Sequence, residues 1–272
     1  MLFRSLVSAD DYGAPFVLGA SIQNLLSGLD ERFYYRSAGL ELAGVRNRSL
    51  GSGALTWRIF AEHQSAAVDK AEWVVSRLWN NTAGFSQNII DTLGGGRRGV
   101  FSGAAARWRA TRGDEASGWR LATDARSEAA GGAVAYGRGA MDLTIERRLP
   151  ARLRAIATGS VGSSVGNLPL QRFWNLGGWQ TVRGYVSGTQ RGESFWMGRG
   201  ELLYEGFRRL QPSAFMDQGW AGQRSELFSG VRQMRSAGVG AAFLQGLFRL
   251  DAARSLDAGG TWRINSYASA RF

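Results

Sequence analysis

Hydrophobic and polar residues alternate one by one along several long stretches of this chain. In Gly53–His63, one face carries leucine, tryptophan and isoleucine, and the opposite face carries polar or charged residues except at Phe60. The same period recurs in two further stretches, Tyr136–Arg148 and Thr261–Phe272. Because successive side chains of a β-strand point to opposite sides, each stretch predicts a strand with an apolar face and a charged face.

Soluble sheets also alternate, so the length and content of these stretches decide between fold classes. In a soluble β-sandwich the strands are short and are separated by turns of Pro, Asn and Asp. Here the stretches run to about ten residues, the length that membrane strands require, and aromatic residues lie near their ends. The chain has only 4 prolines. The pattern therefore favours an all-β fold, an antiparallel transmembrane β-barrel with a wet lumen, over a soluble β fold.

About thirteen candidate strands follow from the pattern. They are Pro15–Ile22, Ala38–Arg46, Gly53–His63, Glu72–Trp79, Gly99–Ala110, Gly118–Ser127, Val134–Arg148, Arg152–Val161, Ser194–Glu205, Ser213–Trp220, Gln233–Phe243, Phe248–Ala253 and Trp262–Phe272. Short turns at Leu149–Arg152 and Phe207–Pro212 alternate with longer, glycine-bearing loops. No linker divides the chain, so we expect a single barrel domain over residues 1–272 with a long loop at about 162–193.

The net charge of +11 makes nucleic-acid binding an alternative to consider. However, the arginines recur singly inside apolar stretches, and only the segments GGGRRG, IERRLP and GFRRLQ pair them. A protein that tracks phosphates more often carries a basic stripe with aromatic residues beside it. We expect no nucleic-acid partner, and a soluble basic β protein that binds nucleic acid stays the less favoured alternative.

Residues suited to catalysis or metal binding are sparse. The chain has no cysteine and a single histidine, His63, which argues against a thiolate site and a metal site. Glu201 and Glu205 share one face of a predicted strand, but no pattern marks a cleft for a pair of hydrolytic acids. The segment GSVGSSVGN lacks the context of a serine elbow. We expect no enzymatic activity, no cofactor and no metal.

The stretch Asn175–Tyr185, NLGGWQTVRGY, is the most specific motif of the chain. Paired glycines lead into Val182, Arg183, Gly184 and Tyr185. Glycine allows a tight turn and a close approach of the backbone to a wall. If the loop folds back into the lumen, the planar fork of the arginine can bind carboxylates on the wall.

Three further motifs follow in order. GRGELLYEG contains Glu201, SAFMDQGW contains Asp217, and the chain ends on an aromatic residue, Phe272, after RSAGVGAAFLQGLFRLDAA. By alternation, Leu202 and Met216 face lipid, so the two acidic residues face inward. Glu201 and Asp217 are therefore the candidate partners of the loop arginine.

These ordered motifs, from about Gln171 to Phe272, resemble the C-terminal barrel of the bacterial outer-membrane assembly and translocation superfamily. That superfamily includes BamA, TamA and the two-partner secretion transporters, and its barrel is of the bacterial surface antigen type. The resemblance implies a barrel of about 16 strands. With only about 12–14 strands and no recognisable signal peptide, this chain is expected to be N-terminally truncated.

The resemblance also implies a location and a function. It places the chain in the bacterial outer membrane, in contact with lipid, where it inserts outer-membrane proteins or exports polypeptide. Its partners would be an unfolded client polypeptide or barrel precursor and upstream periplasmic modules that this chain lacks. Val182, Arg183, Gly184 and Tyr185 would form the latch of the loop, and Phe272 the signal of the last strand. A barrel that anchors an upstream enzymatic, lipase-like domain remains an alternative.

Overall fold

The structure, a computed structural model, describes residues 2–9, 33–47, 53–67, 87–88, 97–114, 116–207, 209–229, 232–244 and 248–268. Its strands, numbered in chain order, are β1 (Leu2–Ser8), β2 (Phe33–Asn47), β3 (Gly53–Ala66), β4 (Gln87–Asn88), β5 (Gly99–Asp114), β6 (Trp119–Gly132), β7 (Tyr136–Leu149), β8 (Leu153–Gly166), β9 (Trp174–Leu176), β10 (Gln190–Gly192), β11 (Ser194–Tyr204), β12 (Leu210–Gly222), β13 (Met234–Phe243), β14 (Phe248–Ser255) and β15 (Trp262–Ala268). Two short 3-10 turns complete the described elements, Leu170–Arg172 and Arg224–Glu226.

The main sheet is an antiparallel meander. Its order is β1-β2-β3-β5-β6-β7-β8-β11-β12-β13-β14-β15, so nearly every strand pairs with its neighbours along the chain. The short β4 adds to β2 in parallel, and β9 pairs with β10 in a separate two-stranded ribbon inside the long loop. Hairpins of this kind join antiparallel strands by local connections. The prediction of an all-β antiparallel fold is confirmed.

The long loop is shorter than the predicted 162–193. β8 continues to Gly166, whose partner on β7 is Tyr136, so the last residues of β8 belong to the wall. The predicted strands Pro15–Ile22 and Glu72–Trp79 lie outside the described residues, as does the C-terminal residue Phe272.

The placement of Pro212 in a turn is wrong, because this residue lies inside β12. On one side it pairs with Ala241 of β13. On the other side it has no partner in β11, because the residues of β12 that pair with β11 begin at Ser213. Proline lacks an N–H, and within sheets it is tolerated where one side of the strand has no ladder to complete.

The two faces of the sheet are the reverse of those in a soluble protein. The outer face exposes large apolar side chains, such as Ile59 at 55% and Ile264 at 74%. The inner face buries charged ones, such as Asp217 at 1% and Asp251 at 0%. Soluble proteins bury apolar residues and leave most charged residues in water, so this arrangement suits an apolar environment outside. None of the described residues forms a helix long and apolar enough to cross a membrane.

Phe60, which breaks the alternation of Gly53–His63, lies on the inner face for a structural reason. It is buried in an apolar cluster with Phe101, Trp174 and Phe195 that joins the wall to the loop. The guanidinium of Arg58 lies 4.5 Å from the centroid of its ring. The lumen at this level is a packed aromatic core, so an aromatic side chain is favoured there.

Candidate functional site

The connection between β8 and β11 is a folded hairpin that lies against the inner face of the sheet. The ribbon of β9 and β10 forms its stem, and an N–H···O bond of 2.8 Å from Gly178 to Tyr185 closes its tip. Gly177 and Gly178 adopt φ of 113° and 82°, a region that other residues avoid. The hydroxyl of Thr181 accepts from the Gly177 N–H at 2.8 Å and donates to its carbonyl at 2.7 Å. These bonds fix the conformation that presents Arg183.

Arg183 binds Asp217 through three hydrogen bonds. Its Nε and Nη2 donate to the two carboxylate oxygens at 2.8 and 2.7 Å, and its backbone N–H donates at 3.1 Å. The arginine is 1% exposed, and its Cζ lies 3.4 Å from the centroid of the Phe215 ring. A bidentate arginine–carboxylate pair fixes orientation as well as energy. The loop tip is thus held on β12.

Two more carboxylates complete the surroundings of Arg183. Its Nη1 lies 3.2 Å from Glu201 on β11 and 3.4 Å from Asp251 on β14. The amide of Asn265 on β15 donates to the Arg183 carbonyl at 3.1 Å. One loop residue therefore contacts four strands of the C-terminal half of the sheet.

Two wall arginines balance the charge of this cluster. Arg199 lies 3.4 Å from Asp217, and Arg249 lies 2.6 Å from Glu201 and 2.8 Å from Asp251. The three arginines and three carboxylates sum to zero. Such compensation is what allows ionised groups to be buried, because an unpaired buried charge is strongly unfavourable.

The residues beside Arg183 fit the wall closely. Val182 is fully buried in the apolar cluster, and Gly219 leaves room for it, since a Cβ there would lie 3.3 Å from Val182 Cγ2. At Gly184 a Cβ would lie 2.6 Å from Ser236 Cβ and 2.8 Å from the backbone N of Ser255. The position after the arginine therefore has no space for a side chain.

A second arginine holds the start of the loop against the inner face of other strands, those of the N-terminal half. Arg172, 6% exposed, lies 3.3 Å from Glu62 on β3 and 3.0 Å from Glu128 on β6, and its Nε donates to the hydroxyl of Tyr136 at 3.2 Å. Next to it, Gln171 donates to the side chain of Gln64 at 2.8 Å. The loop is thus bound by buried arginines to two different parts of the wall.

Two solved structures have a similar fold. CdiB from Acinetobacter baumannii matches with a TM-score of 0.55 at 16% identity, over 86% of this chain and 41% of that chain. BamA from Haemophilus ducreyi lacking POTRA domains 1–3 matches with a TM-score of 0.60 at 10% identity, over 88% of this chain and 56% of that chain. This chain has the β-barrel fold of BamA and CdiB.

The chain spans about half the length of the solved structures it matches. No family model and no curated protein sequence matches it. The likeness therefore rests on the sheet and its connections.

The predicted site residues Arg183, Glu201 and Asp217 lie together in the structure, and Val182, Gly184 and Tyr185 pack around them. Sequence reasoning missed Asp251 and Arg172. Asp251 could have been found, because it alternates with the outward Leu250 in FRLDAARS. Arg172 carries no such signal, since its acidic partners lie on strands far away in the sequence.

Charge and burial oppose each other at both loop arginines. Burial disfavours the charged form of Arg183, but the hydrogen bonds and charges of Asp217, Glu201 and Asp251 outweigh it and raise its pKa further above the usual range. Burial likewise works against the charged form of Arg172, and Glu128 leads the neighbours that raise its pKa. Both arginines therefore stay charged in place.

Tyr185 ends the motif with a hydrogen bond outside the cluster. Its hydroxyl donates to Asp257, in the turn between β14 and β15, at 2.7 Å and accepts from the Arg235 N–H at 3.2 Å. Burial and Asp257 raise the pKa of Tyr185 to about 12.

His63 is exposed on β3, and the described part of the chain holds no group of His, Cys, Asp and Glu that could bind a metal ion.

Proposed function

We propose that this barrel lies in a bacterial outer membrane, where it inserts outer-membrane proteins or exports polypeptide, and that Arg183 latches the loop inside the lumen. The observation that carries the proposal is the contact of one buried loop arginine with Asp217, Glu201 and Asp251 on three strands. A cofactor, a metal or a catalytic step is no part of it. Upstream periplasmic modules would deliver the client.

The space left beside the loop supports a role for loop movement. A cavity of about 580 Å³ lies between Trp174 on the loop and wall residues that include Arg58, Arg107, Arg126 and Glu128. A volume of this size holds one small molecule, within the roughly 300–1,000 Å³ of ordinary ligand pockets. An extended polypeptide needs more room than this cavity offers, so in this proposal the loop leaves its place during export.

Charge reversal at Arg183 tests the proposal in the full-length parent protein. Arg183→Glu places a fourth carboxylate among Asp217, Glu201 and Asp251 and should release the loop, so client assembly or secretion should fall. The matched control is Arg235→Glu, an exposed arginine whose side chain donates to Gln233 at 3.3 Å. Combining Arg183→Glu with Asp217→Arg restores an opposite pair and should recover part of the activity. Full client assembly by Arg183→Glu would contradict the latch.

The two alternatives make different predictions. If the barrel anchors an upstream lipase-like domain, Arg183→Glu should lower barrel stability and leave client assembly untouched, and a hydrolase domain should be encoded upstream. If the chain is a soluble basic protein that binds nucleic acid, it should be monodisperse without detergent. The apolar outer face, with Ile264 74% exposed, argues against the second alternative.

A further inference from the structure

Many of the arginines that give the chain its net charge of +11 take no part in the latch, and several of them lie at one end of the barrel. Because the strands are antiparallel, the turns after β2, β5, β7, β11 and β13 all lie at the end opposite the long loop, here called the turn end. The doublets IERRLP and GFRRLQ both fall at this end. Its exposed arginines include Arg46, Arg112, Arg120, Arg147, Arg148, Arg152 and Arg209.

Three of these arginines lie on the lipid-facing side of the wall. Arg46 continues the outward series of Leu40 and Leu42 on β2. Arg112 follows Trp108 on β5, and Arg147 follows Ile145 on β7, each at an even spacing. Alternation therefore turns all three away from the lumen.

Each of the three lies directly across from an apolar residue on a neighbouring strand. The register pairs Arg46 with Leu55, Arg112 with Leu121, and Arg147 with Trp119. An arginine so placed can cover apolar surface with its methylene stem while its guanidinium reaches the membrane surface. These positions mark the border between the apolar band and the headgroups.

Three carboxylates of the turn end lie within the described residues. Glu146 and Glu205 both pair with the inward Arg154, at 3.8 and 2.9 Å. Asp114 accepts from the backbone N–H of Ser117 at 2.8 Å, within the turn. By alternation Asp114 shares the outward face with Arg112, so the described residues of this face include three arginines against one carboxylate, and the face is basic.

We infer that Arg46, Arg112 and Arg147 form a lipid-facing basic belt that binds the phosphates of anionic phospholipids. The inference rests on the proposed placement of the barrel in a membrane. The belt follows alternate strands, β2, β5 and β7, of the N-terminal half, whereas hairpins of the C-terminal half present Phe207, Phe243 and Phe248 at this end. Anionic lipid should accordingly gather along the N-terminal half.

The test compares two triple variants that lose the same charge at the same end. The belt variant is Arg46→Gln/Arg112→Gln/Arg147→Gln. The control variant is Arg120→Gln/Arg148→Gln/Arg152→Gln, three exposed arginines of the same end that lie outside the outward series. The full chain is folded into phosphatidylcholine vesicles with or without phosphatidylglycerol, and folded protein is quantified by its heat-dependent mobility on gels.

An arginine close to an anionic surface strengthens attraction about fivefold, so the belt should contribute roughly a hundredfold preference for phosphatidylglycerol at low salt. The belt variant should lose this preference, and the control and a triple Arg→Lys variant of the belt should keep it. A belt variant that keeps the preference would overturn the inference. The basic end would then bind an acidic protein instead of lipid, or would act only through the net charge of the chain. Equal losses in belt and control variants would overturn it too.

Native mass spectrometry of the detergent-folded protein gives a second reading that does not depend on insertion. The wild-type chain should retain phosphatidylglycerol in preference to phosphatidylcholine, and the belt variant should not. Client assembly is a separate assay, so loss of lipid preference with intact assembly separates this inference from the proposed function.

Discussion

Replacing Asp217 by asparagine should release the loop far more than the matched change at Glu201. Asp217 is fully buried and accepts both Nε and Nη2 of Arg183, whereas Glu201 is partly exposed and accepts Nη1 alone at 3.2 Å. The change Asp→Asn keeps the shape of the side chain, so no cavity forms. What it removes is the charge that compensates Arg183 and, at 3.4 Å, Arg199.

The expected size follows from these contacts. Breaking a buried ion pair by neutralising one partner costs about 3–5 kcal/mol, because the other charge stays buried without compensation. Glu201→Gln should weaken the hold on the loop by only about 1.5 kcal/mol, the low end for one hydrogen bond to a charged group, since Asp217 and Asp251 still face Arg183 and Asp251 still pairs with Arg249. With roughly 1.4 kcal/mol for each factor of ten, Asp217→Asn should raise the population of the released loop on the order of a hundredfold to a few thousandfold.

Thiol labelling can measure this population directly because the chain has no cysteine. Val182 is fully buried under the wall, so a Val182→Cys reporter should react with a maleimide only when the loop leaves the lumen. Val186, 51% exposed in the same loop, gives the control reporter, Val186→Cys, which should react at one rate in every background. Equal labelling of Val182→Cys in the Asp217→Asn and Glu201→Gln backgrounds would refute the ranking derived from burial and geometry.

Three further changes test other parts of the loop. Arg172→Gln should destabilise the barrel by about 3–5 kcal/mol, because the buried Glu62 loses its arginine while Glu128 keeps Arg58 at 3.3 Å, and an unchanged midpoint of heat-dependent gel mobility would contradict this. Gly184→Ala should unseat the loop, since its Cβ would lie 2.6 Å from a neighbouring side chain, whereas Gly198→Ala, with no atom within 4 Å, should leave Val182→Cys labelling unchanged. The raised pKa of Tyr185, about 12 against 10.0, means that its stabilisation is complete below pH 10 and is lost as the pH rises through 12. Tyr185→Phe should remove that part of the alkaline loss in an unfolding titration; an identical pH profile would contradict it.

Periodicity was sufficient for much of the fold because alternation is a local property. A strand between water and lipid must repeat every two residues, so Gly53–His63 and Tyr136–Arg148 predict β3 and β7 within a few residues. It failed where a contact distant in sequence decides the conformation. Tyr136 extends β8 to Gly166 by pairing. Alternation placed Phe60 on the inner face correctly, but it gave no reason for an aromatic residue there, because Trp174 is brought to it by the loop.

In the candidate site, too, residues placed by local alternation could be predicted and contacts between distant parts of the chain could not. Glu201 and Asp217 could be assigned to the inner face, because each alternates with a neighbour that faces outward, Leu202 or Met216. The direction of a side chain along a strand is local. The meeting of Arg172 with Glu62 and Glu128 depends on the path of the loop across the lumen, which no local pattern encodes.

The composition of the buried cluster favours two distinct positions of the loop over gradual movement. A compensated buried ion network adds little stability over apolar packing, but removing one member leaves charges that cost several kcal/mol. If Arg183 withdraws part of the way, Asp217 keeps only Arg199 and Asp251 keeps only Arg249, and the lost charge is not replaced before water can reach them, because both side chains are fully buried. Full withdrawal admits water and lowers that cost. The intermediate positions are therefore the least favourable, and an element with two stable positions and a barrier between them is what a latch requires.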